Sequence, residues 1–313
     1  MPMTDNKKYR LITRSDFDGL ACAVILRELG MIDKIKFVQP KDMQDGKIAV
    51  TDRDISANLP YAEGVHLAFD HHMSETLRVD GGRENLVIDP RMPSAARVIF
   101  NYYGGRENLS GIDPDMLEAV DKADMAQFTE NDILNPTDWV LLSFIMDPRT
   151  GLGRFKNFRI SNYDLMMDLI THCKHLTIDE ILDLPDVKER LDIMKKYDTA
   201  FTDQLKRCAT VKDNLVVLDL RNEAVIYPGN RFRIYTLFPE CNISIHVIWG
   251  RNKDNTVFAV GKSIVNISSN TNVGQLMLEY GGGGHENAGT CQIENDRAEA
   301  VLEELITHIN ANC

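Results

Sequence analysis

Three short apolar segments near the start of the chain each lead into aspartate. The segments are residues 9–13, 47–51 and 65–69, and the acids that follow them are Asp16, Asp18, Asp52 and Asp70. Apolar runs of this length predict buried strands, and the apolar positions of residues 19–29 predict a helix between the first two. Strands that alternate with helices predict a parallel, doubly wound α/β sheet. Since such sheets bind ligands beyond the carboxyl ends of their strands, we expect these acids to meet at one edge.

The remaining pattern divides the chain into two α/β domains. Strands are also predicted at 34–38 and 85–88, and Ser94 is predicted to cap a helix over 95–103. From residue 114 to about 208 the pattern is mostly helical. A second sheet is predicted from strands at 214–218, 224–227, 242–248 and 257–260, with helices at 274–279 and 298–309. We predict a first domain over residues 1–190, a helical linker over 191–213 and a smaller α/β domain over 214–313.

The composition limits the class of protein. The 313 residues carry a formal net charge of −12, which argues against tight, sequence-independent binding of long duplex DNA. Bound divalent cations would offset the clustered aspartates, so a small phosphorylated substrate is compatible with this charge. The six cysteines are scattered without a Cys-x-x-Cys pair, which indicates reduced thiols. The N-terminus has no signal-peptide core, and no apolar run reaches the roughly 18 residues that span a bilayer. We therefore expect a soluble cytoplasmic protein.

The acids and imidazoles at the strand ends have the chemistry of a metal site. Aspartate and histidine without cysteine suit Mn²⁺ or Mg²⁺. Two such ions about 3.5–4 Å apart can bind a phosphoryl oxygen and lower the pKa of a bridging water. Such a pair needs a bridging carboxylate and several terminal ligands, and the candidates are Asp16, Asp18, Asp52, His71 and, from the helical region, Asp124. An alternative is an aspartyl-phosphate phosphatase with Asp16 as nucleophile, although that scheme has no use for the two histidines.

Two further segments are candidates for binding an anionic substrate. Four consecutive glycines, 281–284, precede His285 and would offer backbone N–H groups to an anion at or near a helix start. The segment 149–159 is basic and includes Arg149 and Arg154. The alternatives are a flexible turn for the first segment and a solvated basic loop for the second.

Together these motifs resemble the DHH phosphoesterase superfamily. Its first motif is similar to Asp16-Phe17-Asp18-Gly19, its second to Asp52 after a strand, its third to Asp70-His71-His72 and its fourth to Asp124. Residues 282–289 resemble the Gly-Gly-Gly-His motif of the C-terminal domain that accompanies the nuclease and phosphodiesterase branches. The resemblance implies that the first domain is catalytic and binds two Mn²⁺ ions, with Mg²⁺ or another divalent cation as the alternative.

The resemblance also implies a role for each site residue. Asp16 would bind one ion, Asp52 would bridge, and the other ion would be held by Asp18, His71 and Asp124. His72 would contact the scissile phosphate or assist the leaving group, and the far end of the substrate would be held across the interdomain cleft by Gly283, Gly284 and His285. Where the family commonly has a histidine before the first motif, this chain has Arg14. The first ion would then be weakly held or completed by water, and Arg14 would contact phosphate.

The expected function is hydrolysis of short phosphorylated chains by a metal-dependent phosphoesterase. The candidate substrates are oligonucleotides, dinucleotides such as linear or cyclic diadenylate, and polyphosphate. Two alternatives stay open, which are an exopolyphosphatase proper and a non-catalytic nucleotide sensor that kept the cleft. The missing histidine is the only support for the sensor. The sequence does not specify the oligomeric state, and a homodimer is compatible with it.

Overall fold

The computed structural model describes residues 7–79 and 82–311. The chain forms two compact units. Unit 1 runs to Gln127 and continues over Pro136–Asp192, and unit 2 consists of Phe128–Asn135 and Ile193–Cys313. Five cysteines are free thiols in the described residues, and Cys313 lies outside them. None of the helices within the described ranges is long and apolar enough to cross a membrane.

Unit 1 is built on a parallel sheet of five strands. In chain order the strands are β1 (Tyr9–Arg14), β2 (Ile32–Val38), β3 (Asp54–Ala57), β4 (Leu67–Asp70) and β5 (Leu86–Ile88). They lie in the order β2-β1-β3-β4-β5, and every neighbouring pair is parallel. The predicted doubly wound fold is confirmed. In a sheet of this order the chain reverses its direction of travel between β1 and β3, and ligands bind at that point.

The third strand does not lie where the sequence pattern places it. The apolar residues Ile48 and Val50 belong to a loop and pack as partly buried side chains against a core cluster. The strand begins instead at Asp54, whose carboxylate is buried and paired with Arg10. Because a buried ion pair breaks the apolar pattern of a strand, the pattern pointed to the preceding loop. As a consequence Asp52 precedes β3, at the amino edge of the sheet.

Between residues 17 and 208, the described part of the chain forms ten α-helices. They are α1 (Phe17–Glu28), α2 (Pro40–Gln44), α3 (Met73–Arg78), α4 (Ala95–Tyr102), α5 (Pro114–Asp124), α6 (Glu130–Leu134), α7 (Asp138–Met146), α8 (Asn162–His175), α9 (Ile178–Asp183) and α10 (Pro185–Cys208). Helix α1 is buried over its first ten residues and packs against α4, α5 and α8. The predicted N-cap is confirmed, since the Ser94 hydroxyl accepts the N–H of Arg97 at the start of α4.

Unit 2 contains a mixed sheet of six strands. They are β6 (Ala209–Lys212), β7 (Leu215–Asp219), β8 (Ile243–Trp249), β9 (Asn255–Lys262), β10 (Gly283–His285) and β11 (Ala288–Glu294), in the order β10-β11-β9-β8-β7-β6. Only β7 and β8 are parallel within this sheet. Besides α6 and the part of α10 from Ile193, this unit contains α11 (Arg233–Leu237), α12 (Val273–Glu279) and α13 (Ala298–Ala311). The strand predicted at 224–227 is wrong, since these residues form a loop in which Val225 is 51% exposed.

Candidate metal centre

Two aspartates follow β1 and occupy different places at the start of α1. Asp16 caps the helix, and its Oδ1 accepts the N–H of Gly19 at 2.9 Å. Asp18 lies in the first turn and is 3% exposed. Its Oδ1 and Oδ2 accept the N–H groups of Ala96 at 2.8 Å and Ala95 at 3.0 Å. The N-terminus of α4 thus holds the Asp18 carboxylate in place and favours its negative charge.

Asp18, His71 and Asp124 form a cluster of possible metal ligands. Their ligand atoms all lie within 4.8 Å of one another. His71 directly follows β4, and Asp124 is the last residue of α5. The Nε2 atom of His71 lies 2.9 Å from Oδ2 of Asp124, yet it is buried and makes no well-directed hydrogen bond. The two atoms are therefore close enough to serve as ligands of one ion.

The second nitrogen of His71 fits this interpretation. Its Nδ1 lies 3.2 Å from the carbonyl oxygen of Met92, which can only accept a hydrogen bond. With the proton on Nδ1, the lone pair on Nε2 points to the cluster. Histidines that bind metal commonly donate their other N–H to a carbonyl or carboxylate, which fixes the ring. One divalent cation fits this set of two carboxylates and one imidazole.

The pKa values of the cluster reflect an excess of buried negative charge. Burial and the nearby charge of Asp124 raise the pKa of Asp18 to about 7. Burial lowers the pKa of His71, but Asp124 and Asp18 outweigh it and raise that pKa to about 9. Burial would raise the pKa of Asp124, and the His71 imidazole holds it below its ordinary value. Protons thus compensate this group of acids, and a divalent cation can take their place.

His72 has a different partner from its neighbour. Its Nδ1 lies 2.7 Å from Oδ1 of Asp70, the last residue of β4, which is 1% exposed. Burial lowers the pKa of His72, but the hydrogen bond to Asp70 and its charge raise it above its ordinary value. The rings of His71 and His72 are 4.5 Å apart at an angle of 61°. The Asp70–His72 pair has the geometry of an oriented acid–base group.

Asp16 is surrounded by groups of the protein itself. Its Oδ2 lies 2.9 Å from Nε of Arg14, and its Oδ1 accepts the Nδ2–H of Asn58 at 3.1 Å. Asn58 directly follows β3, is 1% exposed and has a φ of 56°. The sequence analysis missed this residue. Asparagine tolerates the left-handed conformation better than most residues. An asparagine directly after a strand was therefore the sequence feature that could have identified Asn58 as a site residue.

The structure does not bring Asp52 to this site. Asp52 lies in an exposed turn before β3, whereas Asp16 follows the end of the neighbouring strand β1. Because β1 and β3 are parallel, Asp52 lies at the opposite edge of the sheet from Asp16. The charge of Asp52 acts on His66, next to the start of β4. The expectation of a bridging ligand at Asp52 is corrected, because the apolar residues 47–51 form a loop and the strand itself is Asp54–Ala57.

Of the two arginines named in the basic segment 149–159, Arg149 is near the acids. Its Nε lies 2.7 Å from Oδ1 of Asp147. Burial lowers its pKa, but the charges of Asp147, Asp16 and Asp124 outweigh this and raise it. Arg154 is exposed at the end of the following turn, Leu152–Arg154.

The glycine-rich segment of unit 2 forms a strand rather than a helix start. It follows the end of α12, and Gly283–His285 pairs with β11. A Cβ atom on Gly282 would lie 2.1 Å from the carbonyl oxygen of Thr290, and one on Gly284 would lie 2.3 Å from that of Ala288. The hairpin therefore requires glycine at both positions for packing. The side chain of His285 is exposed, and its role toward substrate stays a prediction.

The chain matches solved structures but no family profile or curated sequence. No protein family profile and no curated protein sequence matches the chain. A solved structure of a pGpG-specific phosphodiesterase, PggH from Vibrio cholerae, is 57% identical, with 98% of this chain and 100% of that chain covered and a TM-score of 0.82. A structure of exonuclease RecJ bound to manganese is 13% identical, with 97% and 90% covered and a TM-score of 0.54.

The likeness to RecJ concerns the fold alone, whereas the identity with the phosphodiesterase extends over the whole chain. The ordered motifs Asp16-Phe17-Asp18-Gly19 and Asp70-His71-His72 lie at the carboxyl edge of the sheet, where the fold binds ligands. Motifs, fold and full-length identity agree, and this chain belongs to the DHH phosphoesterase superfamily.

Proposed function

We propose that this protein hydrolyses the phosphodiester bond of a short linear dinucleotide of the pGpG type, in a reaction that depends on a divalent cation. The observation that carries the proposal is the 57% identity, over 98% of the chain, with a phosphodiesterase specific for pGpG. The cluster of Asp18, His71 and Asp124 supports it independently, since it is a ligand set for one divalent cation beside two arginines and an oriented histidine.

A divalent cation held by Asp18, His71 and Asp124 would polarise a phosphoryl oxygen and lower the pKa of a water molecule. Carboxylate oxygens favour Mg²⁺ and Mn²⁺, and we propose Mn²⁺ as the cofactor of this set. The Met92 carbonyl keeps the proton of His71 on Nδ1, so that Nε2 is available as a ligand. The N–H groups at the start of α4 hold the Asp18 carboxylate in place and favour its ionised form, against the burial that raises its pKa.

His72 is proposed to supply the proton for the leaving oxygen. Asp70 accepts the Nδ1–H of His72 at 2.7 Å, which leaves Nε2 to carry a proton toward the substrate. The buried Asp70 carboxylate also favours the imidazolium form of His72, whose pKa it raises. Proton donation to a leaving oxygen by a positioned imidazole is typically worth about 10²–10⁴-fold in rate.

The arginines are proposed to bind the phosphate groups of the substrate. Burial raises the pKa of Asp16, and the positive charges of Arg14 and Arg149 oppose this rise, so both arginines lie near that carboxylate. A guanidinium presents a planar set of donors that matches phosphate oxygens. The predicted contacts of Arg154, Gly283, Gly284 and His285 with the rest of the dinucleotide form part of the same proposal. Such remote contacts orient the scissile group, so their loss lowers the rate as well as the affinity.

A substrate panel tests the proposal. The full-length chain is incubated with Mn²⁺ or Mg²⁺ and with pGpG, linear diadenylate, cyclic diadenylate, a short RNA or polyphosphate, and the products are separated by anion-exchange chromatography. We expect pGpG to be cleaved to two GMP molecules with the highest kcat/KM, and the Asp124→Asn variant to be inactive. Preferred cleavage of polyphosphate would support an exopolyphosphatase, and binding of pGpG without cleavage by the metal-loaded wild type would support a sensor.

Two expectations from the sequence stay predictions beside this proposal. We propose a cytoplasmic location, which the scattered cysteines support and which cell fractionation tests. The oligomeric state, for which a homodimer is compatible with the sequence, is tested by light scattering of the purified chain.

A further inference from the structure

The contacts of Asp16 leave little room for a metal ion at this residue. Its Oδ1 accepts two hydrogen bonds, from the N–H of Gly19 at 2.9 Å and from Nδ2 of Asn58 at 3.1 Å. Its Oδ2 is paired with Nε of Arg14 at 2.9 Å. A carboxylate oxygen has about two lone-pair sites, so both sites of Oδ1 are taken by donors of the protein, and Oδ2 already faces a cation.

Asn58, the residue that donates to Asp16 from the end of β3, cannot bridge two ions. Asn58 takes the position after β3, next to Asp16 across the point where the strand order reverses. An ion pair in a phosphoesterase site needs a carboxylate whose two oxygens bind one ion each. An amide offers one oxygen and carries no charge. Asp52, the carboxylate predicted for this task, lies at the other edge of the sheet.

Arg14 already carries a positive charge at this point. Its side chain is 31% exposed, and its guanidinium is held against Asp16. Arginine cannot be deprotonated in a protein, so a second divalent ion beside Asp16 would meet a fixed like charge. The guanidinium does for Asp16 what an ion would do, because it compensates the carboxylate and presents donors to a phosphate oxygen.

The cluster of Asp18, His71 and Asp124 differs from this group in its two carboxylates and its imidazole, although Asn58 Oδ1 is also buried without a hydrogen-bond partner. Oδ2 of Asp18 accepts the N–H of Ala95 and keeps a second lone pair, whereas Oδ1 accepts the N–H of Ala96 and, at 3.8 Å, the weak thiol donor of Cys22. His71 Nε2 is buried without a directed hydrogen bond, and it lies 2.9 Å from Oδ2 of Asp124. The ligands for one ion are therefore in place, whereas the bridge and the second set of ligands are replaced.

We propose that this site binds one divalent cation per chain, at Asp18, His71 and Asp124, and that Arg14 and Asn58 together with Asp16 occupy the place of a second ion. The inference rests on the proposed function only in its choice of the three metal ligands. It replaces a bimetallic site by one ion and one guanidinium, and it makes Asn58 a positioning residue that holds the Asp16 carboxylate toward Arg14.

The number of bound ions tests the inference directly. The full-length chain is stripped with EDTA and equilibrated by dialysis with micromolar free Mn²⁺. The manganese bound per chain is then measured by mass spectrometry of the metal, and electron paramagnetic resonance shows whether the ions are isolated or spin-coupled. We expect one ion per chain and the six-line spectrum of isolated Mn²⁺. Two ions with a coupled spectrum in the wild type would overturn the inference.

Two substitutions should restore the second site. In the Arg14→His/Asn58→Asp double variant, an imidazole that can bind metal replaces the guanidinium, and a carboxylate that can bridge two ions replaces the amide. We therefore expect the bound manganese to double and the coupled spectrum to appear. Asp52→Asn, at the opposite edge of the sheet, is the matched control and should keep one ion. A folded double variant that still binds one ion would refute the role of Arg14 and Asn58. If the double variant does not fold, the wild-type count still decides the number of ions, and the single Asn58→Asp variant, checked by circular dichroism, tests the bridge.

The outcomes separate this inference from the proposed function. One bound ion without cleavage of pGpG would contradict the proposed substrate and leave the inference intact. Two bound ions with cleavage of pGpG would contradict the inference alone. No bound ion would contradict both, because both depend on Asp18, His71 and Asp124 as ligands.

Discussion

Both edges of the sheet in unit 1 carry aspartate and arginine, but the charges are fully paired at one edge and incompletely paired at the other. At the amino edge, Arg10 from β1 binds both oxygens of Asp54, through Nε at 2.7 Å and Nη2 at 2.9 Å. Thr51 adds its N–H at 2.7 Å and its hydroxyl at 3.1 Å to the same carboxylate. Every charge of this group has a partner within the protein, so the group serves the fold.

At the carboxyl edge the acids outnumber their partners. Arg14, four residues further along β1, pairs with Asp16, whereas Asp18 and Asp124 share the imidazole of His71. Burial and mutual repulsion raise the pKa of Asp18 to about 7. An uncompensated buried acid is costly to the fold and useful for binding a cation. The comparison teaches that the balance of charge, more than the residue types, separates the functional edge from the structural edge.

The strongest test of this comparison removes a ligand at the carboxyl edge. Asp124→Asn should abolish Mn²⁺ binding and lower the rate of hydrolysis on the order of 10³-fold or more, since the cation supplies several kcal/mol of transition-state stabilisation. Equilibrium dialysis and the pGpG assay measure the two effects, and circular dichroism confirms the fold. A variant that keeps its metal and its rate would remove Asp124 from the site.

Histidines at the two edges give the next test. His72→Ala should keep its metal and lose about 10²–10⁴-fold in rate, because the substrate loses its proton donor, whereas His71→Ala should lose the metal. The matched control is His66→Ala near the amino edge, where the ring stacks on Tyr9 at 4.3 Å. This control should change kcat by less than a few-fold. Equal metal binding by the His71 and His72 variants would show that their roles are assigned wrongly.

At the amino edge we expect a loss of stability rather than of function. Asp54→Asn should lower the free energy of unfolding by about 1–2 kcal/mol, while kcat stays near that of the wild type. This loss is the usual contribution of a charged hydrogen-bonded pair, reduced because solvent screens the partly exposed Arg10. Burial would raise the pKa of Asp54, but Arg10 and Thr51 hold it below its ordinary value.

The pH dependence of that loss follows from the sign of the pKa shift. A lowered pKa stabilises the folded state above the ordinary pKa of about 3.9, and this contribution disappears as the pH falls below it. Urea titrations at pH 7 and pH 3 should therefore show a large difference between wild type and Asp54→Asn at pH 7 and a smaller one at pH 3. A difference that grows toward pH 3 would contradict the assigned role of the ion pair.

The smallest effect is expected at Asp52. Since this residue is exposed in the turn before β3, Asp52→Asn should leave metal binding unchanged and kcat/KM within a few-fold of the wild type. A metal titration and the pGpG assay on the same sample check both values. Loss of either would return Asp52 to the functional site and would remove the distinction between the two edges.

The sequence predicted the site residues that follow mostly apolar strands. β1 and β4 are apolar runs, and the acids that follow them, Asp16 and Asp70, lie at the predicted strand ends. β3 carries a buried aspartate and a buried serine, so its pattern does not identify it, and the neighbouring loop was chosen instead. That single error placed Asp52 in the site and left Asn58 out. A pairing between residues 10 and 54 depends on tertiary structure and has no local pattern.

The hairpin of unit 2 was missed for a related reason. Glycine has a low strand propensity, and the run 281–284 looked like a turn or an anion-binding loop. The close approach of Gly282 and Gly284 to the neighbouring strand shows why the residues are needed. Contacts of this kind are set by the packing of β10 on β11, which no local pattern of the sequence contains.

The segment Phe128–Asn135 has a consequence for how such a chain can evolve. It starts four residues after Asp124, yet it belongs to unit 2, where the ring of Phe128 lies 5.5 Å from that of Phe232 and the carbonyl oxygen of Ile133 accepts a hydrogen bond from Asn230. The chain thus passes from one unit to the other three times. A gene break near residue 190 would leave α6 on one product and its packing partners on the other. Recombination at a single point cannot exchange either unit intact, so both are inherited as one piece.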